Sequence, residues 1–79
     1  SRSVNIFPNP SEGIVNISFE QVQDFKSLRL MSASGQVISE LQLTQSNTQK
    51  LDLSTLAAGT YFLIFVGDDR IEHHPLLIK

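Results

Sequence analysis

Leu51-Asp52-Leu53-Ser54-Thr55-Leu56-Ala57-Ala58-Gly59-Thr60-Tyr61 is the stretch whose reading decides the fold. Gln49, Leu51 and Leu53 share one parity, and Lys50 and Asp52 the other. Such alternation marks a strand with one face buried and one in water. The strand ends at Leu53. Leu56 then plugs the bottom of the core while the chain crosses between sheets, and Gly59 permits the backbone turn that opens the next strand. Tyr61 stands where, in sandwich folds, a tyrosine folds its ring over the corner and bonds upstream backbone through its hydroxyl. A buried hydroxyl needs such a partner, so Tyr61 reads as a corner residue and not as a catalytic one.

Short β-rich runs separated by turn residues extend in both directions from this corner. Upstream, Val4 to Phe7 runs into Pro8-Asn9-Pro10, and Ser11-Glu12-Gly13 closes the turn. Each proline removes an N–H donor and pushes its predecessor into extended geometry, which suits an edge strand. Ile14 to Phe19 sets Val15, Ile17 and Phe19 on one face, against Asn16 and Ser18. Ser27 to Met31 points Leu28 and Leu30 inward and Arg29 outward. Ser32-Ala33-Ser34-Gly35 reads as a hairpin turn with Gly35 at positive φ, and Gln36 to Leu43 follows. Thr44 to Asn47 is a polar connection. Downstream, Gly59 to Val66 is apolar on both parities, as in a central strand covered on both sides. Gly67-Asp68-Asp69-Arg70 turns the chain into the last strand, Ile71 to Ile78. Phe19, Val22 and Phe25 recur at helical spacing, but that run is too short to stand as a helix and reads as a strand-to-strand connection. The fold class that results is all-β, an immunoglobulin-like antiparallel sandwich of about seven strands.

At 79 residues the chain is at most one domain. Ordering it costs on the order of 100 kcal/mol of conformational entropy, which a small core offsets only narrowly. There is no cysteine, which excludes a disulfide scaffold and a thiolate metal site. The net charge is −2, and the basic residues are scattered from Arg2 to Lys79. Nucleic-acid binding requires a phosphate-neutralising patch, so that class is set aside. The longest apolar stretch, Tyr61 to Val66, is far too short to span a bilayer. The opening Ser1-Arg2-Ser3 reads as the start of a piece excised from a larger secreted protein.

No constellation assembles a reaction centre. His73 and His74 are neighbours on a strand and point to opposite faces, so they do not chelate one ion. Asp69, Glu72 and one histidine match no zinc or calcium spacing, and the pair reads as a solvated edge strand. Asp68-Asp69 is a turn pair. No Gly-x-Ser-x-Gly elbow or phosphate loop occurs. The reading is therefore non-enzymatic, with no catalytic residue, cofactor or metal.

Four motifs, taken in order, carry a resemblance over nearly the whole chain. They are Val4-Asn5-Ile6-Phe7-Pro8-Asn9-Pro10, the hairpin from Leu28 to Ile38 with its glycine Gly35, the block from Leu51 to Tyr61 ending in Gly59-Thr60-Tyr61, and the tail Leu76-Leu77-Ile78-Lys79. Together these resemble the type A C-terminal sorting domain of the type IX (Por) secretion system of Bacteroidota. The resemblance implies a label with no active site of its own. It would be joined to an N-terminal cargo domain in the same chain and would fold in the periplasm. There it would be recognised by the outer-membrane translocon and a shuttle protein. A surface sortase would then usually cut ahead of it and join the cargo to lipopolysaccharide, leaving the cargo at the cell surface or secreted.

The residues expected to carry recognition are Pro8, Asn9, Pro10, Gly35, Gly59, Tyr61, Leu77, Ile78 and Lys79. Exposed sheet edges are templates for strand addition, so the last strand is expected to offer a handle, and edge strands could also pair two copies into a dimer. For Leu77 and Ile78 ordinary core packing stands as the competing account. The alternative for the whole chain is a fibronectin-like spacer or a carbohydrate-binding accessory module. The absence of Trp, and a single Tyr already given to the corner, count against sugar stacking.

Overall fold

Wherever the sequence alternates, the chain is extended. The computed structural model describes residues 4–9, 12–21, 24–44 and 46–79. Pro10, Ser11, Val22, Gln23, Gln45 and the opening Ser1-Arg2-Ser3 lie outside the described residues. The strands are β1 (Val4–Phe7), β2 (Ile14–Phe19), β3 (Ser27–Ser32), β4 (Val37–Gln42), β5 (Thr48–Asp52), β6 (Gly59–Val66) and β7 (Ile71–Ile78). They form a three-stranded sheet in the order β1-β2-β5 and a four-stranded sheet in the order β4-β3-β6-β7. All pairings are antiparallel. This is the expected immunoglobulin-like sandwich. β3 runs one residue past Met31, and β4 is one residue shorter at each end than the run from Gln36 to Leu43, although Leu43 is buried and its N–H donates to the Lys26 carbonyl at 2.9 Å.

The inward parities meet between the sheets. Val15, Ile17, Leu63 and Phe65 are fully buried, and Leu28, Leu30 and Leu76 nearly so. Phe25, on the connection between β2 and β3, is also fully buried. Its ring lies 6.2 Å from Phe19 and 5.9 Å from Phe65, and those two are 5.7 Å apart. Tilted aromatic pairs at this spacing contribute about 0.5–1.5 kcal/mol each beyond the area they bury. On this connection Asp24 N–H donates to the Gln21 carbonyl at 3.1 Å. The Arg70 guanidinium lies 5.4 Å over the Phe25 ring and pairs with Asp24 at 3.0 Å, which covers this end of the core.

Two readings of the sequence need correction. β6 is central in its sheet, yet only its inner face is sealed. Phe62, Ile64 and Val66 on the outer face are half-buried, and among the described residues no element lies over them. A two-layer sandwich gives each sheet one facing layer, so the outer residues of β6 are shielded only by their lateral neighbours. Val37, Met31, Phe62 and Pro75 line up in one such cross-strand row. Likewise, only His73 of the two histidines is exposed. His74 points inward, edge-on to Phe65 at 5.5 Å, and hydrogen-bonds Glu72 at 3.1 Å. The Glu72 carboxylate also takes Arg70 at 3.0 Å.

Edges are handled locally. Ile38 is an extra residue in β4, since Leu30 pairs with Ser39 and Met31 with Val37. A bulge of this kind bends an edge strand away from flat pairing.

The turn after β6 has a requirement that its sequence does not announce. Gly67 N–H donates to the Arg70 carbonyl at 2.8 Å, and a Cβ at Gly67 would overlap the Asp24 carbonyl oxygen. The turn and the Phe25 connection therefore share space that only glycine leaves free. Gly67→Ala is expected to lower stability by about 1–3 kcal/mol through overpacking, measured as a shift of the urea midpoint. An unchanged midpoint would contradict this close approach.

Candidate functional site

The order of the motifs in the sequence gives no hint that they meet, but the β6–β7 ladder brings them together. Gly59 pairs with Ile78, Thr60 with Leu77 and Tyr61 with Leu76. Across the other side of β6, Tyr61 pairs with Ser32, the residue that opens the Gly35 turn. The Gly-Thr-Tyr block and the Leu-Leu-Ile tail are thus hydrogen-bonded neighbours, and the Gly35 turn lies at the same end of the sheet.

The corner is built as its sequence predicts. Tyr61 is half-buried against the core, and its hydroxyl donates to the Ala57 carbonyl at 2.6 Å. Leu56 packs against the core, and its N–H donates to the Leu53 carbonyl at 3.0 Å. Gly59 opens β6 at φ +154°. Asp52 starts the crossing, where one carboxylate oxygen accepts from the Ser54 hydroxyl at 2.6 Å and the Ser54 N–H at 3.1 Å. These bonds, the hydroxyl's foremost, hold the Asp52 carboxyl below its ordinary pKa. Gly35 is exposed at φ +94°, and its N–H donates to the Ser32 carbonyl at 3.0 Å. With Met31, Phe62, Ile64 and His73 it borders a shallow, mostly apolar depression of about 390 Å³ on the outer face of the four-stranded sheet.

The tail divides by parity. Leu76 and Ile78 are buried at 1% and 3% exposure, whereas Leu77 is 42% exposed on the outer face. Lys79 is exposed and lies beside Pro8, Glu12, Ile14 and Asn16 around an open depression. Leu77 and Ile78, taken as one unit by sequence, therefore have different surroundings.

Asn9 supplies a feature that sequence reading misses. Its side-chain amide donates to the Pro75 carbonyl at 3.0 Å and accepts from the Leu77 N–H at 3.1 Å. β7 pairs with β6 on one side, so both bonds lie on its free edge. Backbone groups in a strand alternate between its two edges. Pro75, two residues from Leu77, therefore sits where its missing N–H costs the sheet nothing. The edge from Pro75 to Leu77 is closed by Asn9 and is not the open template expected of it. A proline inside a β-rich run is the one sequence signal for such an edge. Pro8 is exposed, follows β1, and its peptide bond with Phe7 is cis.

Comparison with known families bears on what this assembly is for. The family described as secretion system C-terminal sorting domain matches residues 5–79. The chain belongs to this family. The sorting domain is thus a type IX secretion signal, which directs export to the cell surface or secretion, and its family is not a catalytic one. No curated protein matches the chain. Among solved structures, CopC from Methylosinus trichosporium OB3b is similar over 90% of this chain and 78% of its own, at 19% identity and a TM-score of 0.49. At that level of likeness nothing is carried from CopC to the sorting domain.

Two outcomes test the corner. Tyr61→Phe is expected to cost about 0.5–1.5 kcal/mol in urea unfolding, the worth of one hydrogen bond. An unchanged midpoint would remove the hydroxyl from the corner. Asp52 gives a pH signature. Its folded pKa lies below the ordinary 3.8, so its contribution is present above that value and is lost as pH falls through the folded one. Asp52→Asn is therefore expected to be less stable than the parent chain at neutral pH and to converge with it in strong acid. A gap that stays constant across the titration would contradict the assignment.

Proposed function

We propose that the sorting domain is of type A and is read in its folded state, through the outward side chains of its terminal strand. The shuttle protein and the outer-membrane translocon contact Leu77 and Lys79. Ile78 acts as an anchor that holds the strand in the core. An N-terminal cargo domain of a larger secreted protein is carried through the periplasm and across the outer membrane with it, and a surface sortase separates the two afterwards. Pro8, Asn9, Gly35, Gly59 and Tyr61 serve this reading by fixing the strand's surroundings, and Pro10 belongs to the same motif.

The single observation that carries this reading is the parity of the tail. Leu77 keeps 42% of its surface in water between two residues that keep almost none. Isolated exposed leucines are ordinary, but this one lies beside Pro75 and diagonal to Phe62, an apolar group on the outer face of the sheet. An apolar face without a covering layer favours a partner that desolvates it. The start of β1 adds support. Val4 pairs with Phe19 at the end of the sandwich opposite Gly59 and Ile78, so a cargo joined ahead of residue 4 approaches from the far side.

Substitution separates reading from packing. Ile78→Ala is expected to cost about 2–5 kcal/mol as a buried truncation. Leu77→Asn is expected to cost less than about 1 kcal/mol and to leave a cargo fusion trapped in the periplasm. Fractionation of cells expressing the fusion, with thermal unfolding of the same variant, measures both. Normal export of a folded Leu77→Asn fusion would refute the proposal.

A further inference from the structure

The Asn9 side chain joins the first turn of the domain to its last strand, across sequence separations of 66 and 68 residues. We propose that Asn9 is a positioning residue for the sorting signal, a latch that keeps the end of β7 ordered so that Leu77 is presented on the outer face. The inference rests on the reading of the tail given above.

The argument begins with what else holds the end of β7. On one side it has the ladder to Gly59, Thr60 and Tyr61. On the other, β1 belongs to the opposite sheet, and Val4, Ile6, Asn9, His74 and Pro75 border an open cleft between the two strands. The Pro75 carbonyl and the Leu77 N–H lie on this side of the strand, where Asn9 bonds both. Strand ends with one neighbour and solvent on the other side open locally at low free energy.

The chemistry of Asn9 fits this vacancy in the ladder. A side-chain amide carries a donor and an acceptor in one plane. It therefore reproduces what one residue of an adjacent strand offers in a parallel ladder, a donor for one carbonyl and an acceptor for the N–H two residues on. Aspartate supplies only the acceptor, and alanine neither. A whole strand is a poorer occupant of this place, because Pro75 has no N–H to give it. The latch so closes the edge to other chains and leaves the outward side chains of the same residues free. A partner that binds Leu77 on a strand already ordered does not bear the ordering cost, so its apparent affinity is not reduced by a small competent fraction.

The test uses Asn9→Ala and Asn9→Asp in the chain and in a cargo fusion. Amide hydrogen exchange followed by NMR reads the latch, and cell fractionation reads export. Asn9→Ala is expected to raise the exchange rate of the Leu77 amide by up to about tenfold, with Leu63 and Phe65 unchanged, and to reduce the exported fraction of the fusion. Asn9→Asp, which keeps the acceptor for Leu77 N–H, is expected to restore Leu77 protection and part of the export. Unchanged Leu77 exchange in Asn9→Ala would overturn the latch. Normal export with Leu77 exchange raised would leave the latch standing and overturn its role in export. A blocked Leu77→Asn fusion beside a normally exported Asn9→Ala fusion would overturn the positioning role alone. Normal export of Leu77→Asn would remove the reading of the tail beneath it.

Discussion

The ladder between β6 and β7 sets the register on which everything else depends. It places Gly59, Thr60 and Tyr61 directly against Ile78, Leu77 and Leu76. A slip of one residue would turn Leu76 and Ile78 out of the core and Leu77 into it, because side chains alternate with a period of two. Leu76 and Ile78 are nearly fully buried, so such a slip would expose two core residues to bury one. The register is further pinned at both ends of β6. The Tyr61 hydroxyl ties one end to Ala57, and the Gly67 turn fits against Asp24 at the other. An edge strand paired on one side needs this kind of pinning, since such strands open locally at low free energy.

The core that supports the ladder is small and is sealed at its ends by polar groups. At the end near Phe25 these run from Asp24 through Arg70 and Glu72 to His74. The pairs lie partly in water, where such ion pairs contribute little on their own. Their role is to satisfy polar groups brought to the rim while the aromatic cluster of Phe19, Phe25 and Phe65 provides the burial. No buried side-chain polar atom is left without a partner among the described residues.

The fold was largely legible because alternation and turn chemistry are local properties. Val15, Ile17 and Phe19 opposite Asn16 and Ser18, or Leu28 and Leu30 opposite Arg29, state which face is buried without reference to the rest of the chain. The failures occur where locality ends. Gly59 to Val66 is apolar on both parities, and sequence alone cannot separate a strand covered twice from one whose second face is left open. His73 and His74 were expected to differ in facing, but only the assembled sheets show that His74 meets Phe65. Gly67 looks like an ordinary turn glycine until the Asp24 carbonyl is laid against it. Among the motif residues, Gly59 and Tyr61 announce their role in the corner, whereas Asn9 looks like one more turn residue.

By itself the sequence determined the strands, their inward faces, the corner at Tyr61 and, through the order of its motifs, membership of a family of sorting signals. It did so because each of these depends on residues close together in the chain. Only the tertiary structure decided that Leu77 and Ile78 differ in exposure, that the edge of β7 is closed, and that Asn9 closes it. Those facts depend on which strands become neighbours, and the physical reason is distance. The Asn9 amide and the backbone of Pro75 and Leu77 come within hydrogen-bond reach only after two sheets have packed on one core.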